Sequence, residues 1–467
     1  MEVCISKEDA ISYMAHVEWA EVTSWLKTEF STNSSDEELL KPLVDLLFNI
    51  INRVQNNFLW YNCLEAQISD TLTVTLKTLR LFVTKANVGD YISKQPQFFD
   101  ALNTLSVCLL TKKNGPEVFT KYLLQCLVNL VSAGSIQQKG QLRKIIRGHK
   151  LSHNIQNFFL TQWGWPIESS ALIYNLYYDI EITDRTLVTE IIKFHTKATY
   201  LNEYSDFLIQ KIVSENCVWE YFVNFTYQRL NLLRLLRYYI AEQVAESDPM
   251  SIQVEQLPES CLKCLTIMFN ESAVVVFQVT NEDDLAAVEE VSCVLKLLAC
   301  ISSNEKSLAF LQNNKDLLIN ASVLLINLHR IGKASNNVFT PILKLAEINN
   351  PSEDITRNPA FGFKADLVRL IGNLCWKNQM MQNLAREGEI IPILLDSCNI
   401  DAKNPFIIQW VIYAIRNICE NNLENQSVIA GLTQRGFIDS KVLQEFGLTL
   451  SSEEMLSIGI VGLDLNK

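Results

Sequence analysis

The sequence predicts an all-α fold made of stacked helical repeats, and three observations support this prediction. A phrase near the C-terminal end of the sequence recurs 44 residues later. The 467 residues include only 15 glycines and 11 prolines, whereas sheets and tight turns need glycine where φ is positive. Long apolar runs are bounded as helices are: residues 116–133 begin at Pro116 and are followed by Gly134.

The clearest repeat lies in residues 366–429. The phrase at 371–375 (IGNLC) recurs in similar form at 415–419 (IRNIC), and Gln382 and Gln426 are separated by the same 44 residues. A period of about 40–47 residues built from helices is typical of armadillo and HEAT repeats. The sequence therefore predicts an armadillo/HEAT-like right-handed helical solenoid.

Weaker copies of the phrase occur earlier in the chain, at 126–130 (CLVNL) and 173–176 (IYNL), and a copy without the asparagine occurs at 297–300. We therefore expect degenerate armadillo-like repeats over residues 1–350. A C-terminal domain with two clear repeats, continuous with the solenoid, is expected over 361–467. Residues 68–86 alternate polar and apolar residues at first, but their neighbours favour a helix there as well.

Composition and charge narrow the classes of partner. The net charge of −12 disfavours nucleic acid, whose binders carry a basic face. The basic run 139–150 is either a partner-binding strip or a solvated helix face. No run of 18 apolar residues predicts a membrane span, and the first residues show no secretory signal. The 12 cysteines are scattered through apolar runs, so we expect reduced core thiols and a cytoplasmic protein.

No pattern of residues predicts catalysis, a metal or a cofactor. The five histidines include only one pair at i, i+4, His149 and His153, and it lacks the glutamate of a zinc protease motif. Cys261 and Cys264 form a lone CxxC inside a helical run, which favours two core cysteines over a zinc site. Phosphate-binding loops and nucleophile elbows are absent from the sequence. We therefore expect a protein that is not an enzyme.

The asparagines of the repeats are candidate partner-binding residues: Asn129, Asn175, Asn373 and Asn417. In an armadillo unit the last helix lines a groove, where an asparagine can bond the backbone of an extended peptide. The alternative is that each asparagine braces one repeat against the next, and the sequence leaves both open. Trp376, Lys377 and Arg416 lie near the same helix ends, where an aromatic ring beside cations could contact a partner. Trp410 is expected in the core.

Asn404-Pro405 is predicted to start a helix and fix the joint between the two clear repeats, because proline restricts the residue before it and suits the first turn of a helix. Asp401 or Asn404 is the expected N-cap of that helix. Beyond Gln426, residues 431–450 resemble a closing helix that covers the last apolar face.

Residues 361–447 resemble the C-terminal domain of the ataxin-10 family. The phrases that carry the resemblance are FKADLVRLIGNLCWKNQMMQNL, CNIDAKNPFIIQWVIYAIRNICENNLENQ and GFIDSKVLQEFG. The resemblance implies an armadillo-like cytoplasmic scaffold without catalytic residues. It also implies roles in neuron survival and neurite growth, cytokinesis, and the centrosome, cilium base or midbody, exercised through partner proteins.

Two functions follow from these expectations. The first is a scaffold or adaptor that binds other proteins along its helical surface. The alternative is a peptide-cargo receptor of the nuclear-transport type, which needs tryptophan and asparagine at regular intervals on successive groove helices. A second copy of the chain would close an apolar groove as readily as another protein, so homo-oligomerisation stays open.

Overall fold

The computed structural model describes most of the chain between residues 66 and 432. The described residues are 45–46, 66–84, 88–110, 117–133, 135–153, 155–156, 166–197, 202–222, 228–240, 254, 257–273, 285–334, 339–342, 355, 360–399 and 401–432. The predicted closing helix lies largely outside them. The chain divides into two compact units, Met1–Cys217 and Val218–Lys467.

The first unit is built from helices in chain order. They are α1 (Ala66–Phe82), α2 (Val88–Ser93), α3 (Pro96–Leu110), α4 (Glu117–Ser132), α5 (Ile136–Gly148), α6 (Pro166–Tyr177), α7 (Arg185–Lys197) and α8 (Glu203–Ser214), with α9 (Asn216–Phe222) at the boundary. Four of them, α1, α4, α6 and α8, pack one on the next in that order. We call these four helices the spine of the first unit.

The second unit repeats this plan. Its helices are α10 (Arg229–Tyr239), α11 (Glu259–Ser272), α12 (Leu285–Ile301), α13 (Glu305–Leu311), α14 (Lys315–Ala334), α15 (Phe363–Leu374), α16 (Gln379–Glu387), α17 (Ile390–Asp396), α18 (Ile407–Cys419) and α19 (Leu423–Gly431). Helices α10, α12, α15 and α18 pack in order as its spine. Helices between them in the chain pack against the spine, as α14 packs on α15.

The tightest step of the second spine joins α15 to α18. A Cβ placed on Gly372 would lie 2.9 Å from both Cα and Cβ of Ala414, so only glycine permits this approach. Leu367, Leu370 and Leu374 of α15 are fully buried. Burial of such side chains is worth about 1.5–3 kcal/mol each, so α15 contributes strongly to the core of the second unit.

The predicted all-α, solenoid-type fold is confirmed. Within the described ranges every element with assigned bounds is a helix, and the spine helices of each unit stack in chain order. The predicted helix at 116–133 is α4, and the alternating stretch that begins near residue 68 lies in α1. Tertiary packing overrides alternation in α1, where Leu72, Leu76 and Leu79 share one buried face.

Candidate partner-binding surface

Three of the four predicted asparagines bond the preceding spine helix. Asn129 on α4 donates from Nδ2 to the carbonyl oxygen of Arg80 at 2.9 Å, and Asn417 on α18 donates to that of Gly372 at 2.9 Å. Asn373 on α15 donates to the hydroxyl of Ser302 at 2.9 Å, and its Nδ2 lies 3.4 Å from the carbonyl oxygen of Ala299. We call these contacts the asparagine rungs.

Each rung reaches the same place on the helix before it. Arg80, Ala299 and Gly372 all lie two residues before the last residue of their helices, α1, α12 and α15. Carbonyls in the last turn of a helix lack an intrahelical donor and need another partner. At the end of α15 the Trp376 N–H bonds the carbonyl of Asn373, so Asn417 supplies a donor to the neighbouring Gly372 carbonyl.

The fourth asparagine differs. Asn175 on α6 donates to the carbonyl oxygen of Ala171 at 2.7 Å, one turn back on its own helix. Asn373 and Asn417 are almost fully buried, whereas Asn129 and Asn175 are half-buried. These bonds favour bracing for Asn129, Asn373 and Asn417. Partner binding by the four asparagines stays a prediction.

A glutamine adds a second tie between the repeats. Gln382 on α16 is buried and donates from Nε2 to the carbonyl oxygens of Asn417 at 2.9 Å and Glu420 at 3.2 Å, in the next repeat. Gln312 at the end of α13 does the same toward Leu374 and Trp376, at 3.0 and 2.8 Å. The landmark glutamine of the 44-residue phrase therefore joins repeats as the asparagine does.

The predicted trio at the helix ends is accessible to different degrees. Trp376 is half-buried, while Lys377 and Arg416 are exposed. Lys377 has a left-handed backbone with φ of 49°, and its Nζ lies 4.2 Å from the centre of the Trp376 ring. The left-handed turn holds an exposed cation against an aromatic ring, which is a contact surface of the kind found at protein interfaces.

Sequence reasoning missed a cation–aromatic pair between neighbouring spine helices. The Arg369 guanidinium on α15 lies 4.8 Å from the centre of the Trp410 ring on α18, and the Trp410 ring packs edge-on against Tyr413. Trp410 is half-buried, because it lies on the surface row of the spine where a core position was expected. Arg369 also donates to the Ser303 hydroxyl at 3.0 Å, which holds the guanidinium over the ring.

The first unit holds an equivalent pair at the same offsets. Lys77 Nζ lies 5.0 Å from the centre of the Tyr122 ring on α4. Lys77 precedes the rung acceptor Arg80 by three residues, as Arg369 precedes Gly372. Tyr122 precedes Asn129 by seven residues, as Trp410 precedes its own asparagine. An aromatic residue seven positions before a repeat asparagine was a signal available in the sequence.

The loop before α18 acts on a different helix from the one predicted. Asn404 Oδ1 accepts the backbone N–H groups of Lys364 and Ala365, at 2.9 and 3.2 Å, in the first turn of α15. Asp401 Oδ1 accepts the N–H of Ile342 at 3.0 Å. The N-cap of α18 is Phe406, which makes no side-chain capping bond, so the predicted capping of α18 was wrong. The loop joins the two repeats, as predicted, by capping the earlier one.

A titratable cluster links α14 to α17. His329 Nε2 lies 2.7 Å from Asp396 Oδ2, which also bonds Lys333, and His329 Nδ1 lies 3.3 Å from the Ser397 hydroxyl. Burial lowers the pKa of His329 below its usual value, although the hydrogen bond that the imidazole makes to the Asp396 carboxylate acts in the opposite direction. The Ser397 hydroxyl lies nearer, at 2.7 Å, to the carbonyl oxygen of Ile393, so it donates its hydrogen bond to that carbonyl and not to the imidazole. The cluster ties two helices together.

The other chemical candidates have structural partners. In the basic run, Arg147 pairs with Asp179 at 2.7 Å and Arg143 lies over the Tyr178 ring at 5.2 Å. Cys261 and Cys264 are buried in α11, and burial raises the pKa of the Cys264 thiol to about 12. These contacts match a packed helix face and two core thiols.

Two features are absent from the part of the chain that the structure describes. It contains no group of three or more His, Cys, Asp or Glu side chains placed to hold a metal ion. It also contains no helix that is both long enough and apolar enough to cross a bilayer.

Comparison with known proteins assigns the C-terminal repeats. The family model described as "Spinocerebellar ataxia type 10 protein domain" matches residues 363–459. The chain carries an ataxin-10 domain. This domain contains α15–α19, and therefore Asn373, Asn417 and the Arg369–Trp410 pair. The resemblance seen at 361–447 is confirmed, and the match runs twelve residues further.

The relatives extend the likeness beyond this ataxin-10 domain. Ataxin-10 of Xenopus tropicalis is 34% identical over 223 residues, 47% of this chain and 44% of the relative. Ataxin-10 of Homo sapiens is 38% identical over 173 residues, 37% of this chain and 34% of the relative. The matched regions thus span less than half of these relatives. A crystal structure of SYS-1 covers 93% of this chain and 67% of its own at 12% identity, but its TM-score of 0.29 supports no inference.

Proposed function

We propose that this protein is a non-enzymatic scaffold or adaptor that binds partner proteins along the spine helices of its ataxin-10 domain. The observation that carries the proposal is the surface row formed by Arg369, Trp410 and Tyr413, in a domain that also exposes Lys377 and Arg416. Tryptophan, tyrosine and arginine are the side chains that contribute most to protein interfaces.

The row is pre-organised, which favours binding. Arg369 is held by Ser303, and the Trp410 ring is fixed between that guanidinium and Tyr413. Side chains ordered before binding lose less conformational entropy when a partner arrives. Trp376 extends the proposed surface through its contact with Lys377. Separately, the half-buried asparagines Asn129 and Asn175 are the proposed partner contacts within the first unit.

The finer roles are part of the same proposal and rest on the resemblance. We propose that the adaptor acts in the cytoplasm, in neuron survival and neurite growth, in cytokinesis, and at the centrosome, cilium base or midbody. Its partners are proteins rather than nucleic acid, it does not insert into membranes, and homo-oligomerisation is open to measurement.

The alternative is a peptide-cargo receptor of the nuclear-transport type. That function needs asparagine amides that are open to a peptide backbone on successive helices. Asn373 and Asn417 instead bond the preceding helix inside the stack, so the scaffold is favoured.

The test compares proteins captured by the full-length chain and by two charge variants. Lys377→Glu combined with Arg416→Glu reverses two exposed cations of the ataxin-10 domain, and Arg330→Glu reverses an exposed cation on α14, outside the row. Rim charges act mainly on association and steering, so we expect about tenfold weaker binding of a partner by the double variant. The control should bind as the native chain does.

The binding of one captured partner, purified, is then measured by calorimetry with all three chains. Equal affinity for all three would refute binding at this row. Turnover of a small molecule by the native chain, without capture of any protein, would refute the scaffold itself.

A further inference from the structure

Helix α18 is the last spine helix among the described residues, and it leaves open a face that its counterpart α15 buries. The two helices are equivalent position by position at an offset of 44 residues. Inward positions stay buried in both, as with Leu374 and Ile418. Two fully buried apolar side chains of α15, and the Cys375 side chain directly after it, have more exposed counterparts on α18. The pairs are Val368 and Ile412, Ile371 and Ile415, and Cys375 and Cys419. Ile412 is 62% exposed where Val368 is fully buried.

The helix that follows shows the same difference. Buried Gln382 on α16 donates to two carbonyls of the next repeat, whereas its counterpart Gln426 on α19 is exposed and donates to the Cys419 carbonyl of its own repeat. Leu423 on α19 is 78% exposed. The open face is thus a stacking surface, defined by Ile412, Ile415, Cys419 and the adjoining side of α19.

The open face does not suit another spine helix of the same kind. Gly372, which admits α18 at close range, is replaced at the equivalent position by Arg416. The residue 44 positions after Asn417 is Val461, so a further spine helix would bring no asparagine rung. Whatever covers Ile412 must be apolar and must approach less closely than α18 approaches α15.

We propose that residues 437–448 of the same chain cover this face. In FIDSKVLQEFGL the apolar residues Ile438, Val442 and Phe446 recur every four positions, the spacing of one helix face. The family match continues to residue 459, so the ataxin-10 domain includes this segment. The segment supplies an apolar stripe a few residues after α19, within the reach of a short connection.

This contact completes the ataxin-10 domain and assigns its stacking face to its own chain. A second copy or another protein on that face is the competing occupant.

A native thiol reports directly on the contact. Cys419 lies on the open face, Cys398 is exposed elsewhere, and Cys375 is fully buried in the same domain. In the full-length chain, alkylation of Cys419 is measured by mass spectrometry relative to Cys398, with Cys375 as the monitor of unfolding. Val442→Asp places a charge in the apolar stripe, and the matched Gln444→Asp places the same charge on the opposite side of the segment.

We expect Val442→Asp to speed alkylation of Cys419 several-fold while Gln444→Asp leaves it unchanged. Equal rates in both variants and the native chain would overturn the proposal. So would protection of Cys419 that disappears on dilution, because that result assigns the face to a second copy.

A second experiment, crosslinking, tests the same contact without Val442→Asp, in case that variant unfolds the domain and exposes Cys375. In the full-length Val442→Cys variant, a short bismaleimide should join residues 419 and 442 within one chain, more efficiently than in Gln444→Cys. Crosslinks between chains, or equal yields from the two variants, would overturn the contact.

Discussion

Replacing Asn417 with alanine is the sharpest test of the asparagine rungs. The change removes a donor that lies 2.9 Å from the Gly372 carbonyl oxygen and is 2% exposed. A neutral hydrogen bond contributes about 0.5–1.5 kcal/mol net, and a buried acceptor left without its donor costs about 1–3 kcal/mol. We therefore expect the step from α15 to α18 to lose about 2 kcal/mol of stability.

Native-state hydrogen exchange reads this loss locally, so it does not require the whole chain to unfold in one step. When exchange follows the opening equilibrium, about 2 kcal/mol corresponds to roughly thirty-fold faster exchange. The faster amides should lie in the last turn of α15 and along the side of α18 that packs on it. Amides of α12, one spine helix earlier, should change little.

Asn175→Ala is the matched control. The Asn175 amide bonds Ala171 on its own helix, so its removal breaks no tie between helices. Exchange in α4, the preceding spine helix, should change less than threefold by the same reasoning. If Asn417→Ala also leaves α15 unaffected but weakens capture of a partner protein, the bracing argument fails and the asparagine faces a ligand.

Three further predictions follow from the same contacts. Gly372→Ala should lower stability by about 1–3 kcal/mol because the added methyl group would overlap the next spine helix. Gly140→Ala has open space around the added methyl group and should stabilise its helix by about 0.5–1 kcal/mol. Chemical denaturation of both variants measures the difference, and equal effects would contradict the packing. Gln382→Ala should lower the melting temperature clearly more than Gln426→Ala, because the first amide bonds two carbonyls of the next repeat; similar shifts would argue against glutamine ties. Burial lowers the pKa of His329, so below about pH 6.5 this side chain binds fewer protons in the folded chain than in the unfolded one. The free energy of unfolding should therefore fall as the pH drops through that range, and His329→Gln should flatten the profile of melting temperature against pH. An unchanged profile would show that another group titrates there.

The sequence was sufficient for the helices and for the repeat, but not for the targets of its side chains. The phrase repeated after 44 residues located Asn373 and Asn417, because residues with the same structural role recur at equivalent positions of a repeat. Spacing alone could not show which way an amide points, since that depends on the offset between stacked helices. Asn404 shows the same limit: its capping role was anticipated, but it caps α15 across space instead of the helix that follows it in sequence.

Trp410 marks the point at which periodicity misleads. An aromatic residue on an apolar helix is most often a core residue, and the structure places this one on the surface row beneath Arg369. The pairing depends on two residues 41 positions apart that meet only when α15 and α18 stack. The equivalent pair in the first unit shows that the offsets could serve as a search pattern for similar spines.

The direction of the asparagine rungs has a consequence for how the chain is made. Each rung completes a helix that ended earlier: Asn129 reaches back 49 residues to Arg80, and Asn417 reaches back 45 to Gly372. During synthesis from the N-terminus, a spine helix therefore leaves the ribosome with its last turn unfinished, and it is completed only after the next repeat has emerged. If the ribosome stalls inside one repeat, the last helical turn of the preceding repeat stays frayed. Chaperones and proteases would therefore act on the preceding repeat and not on the one in which synthesis stopped.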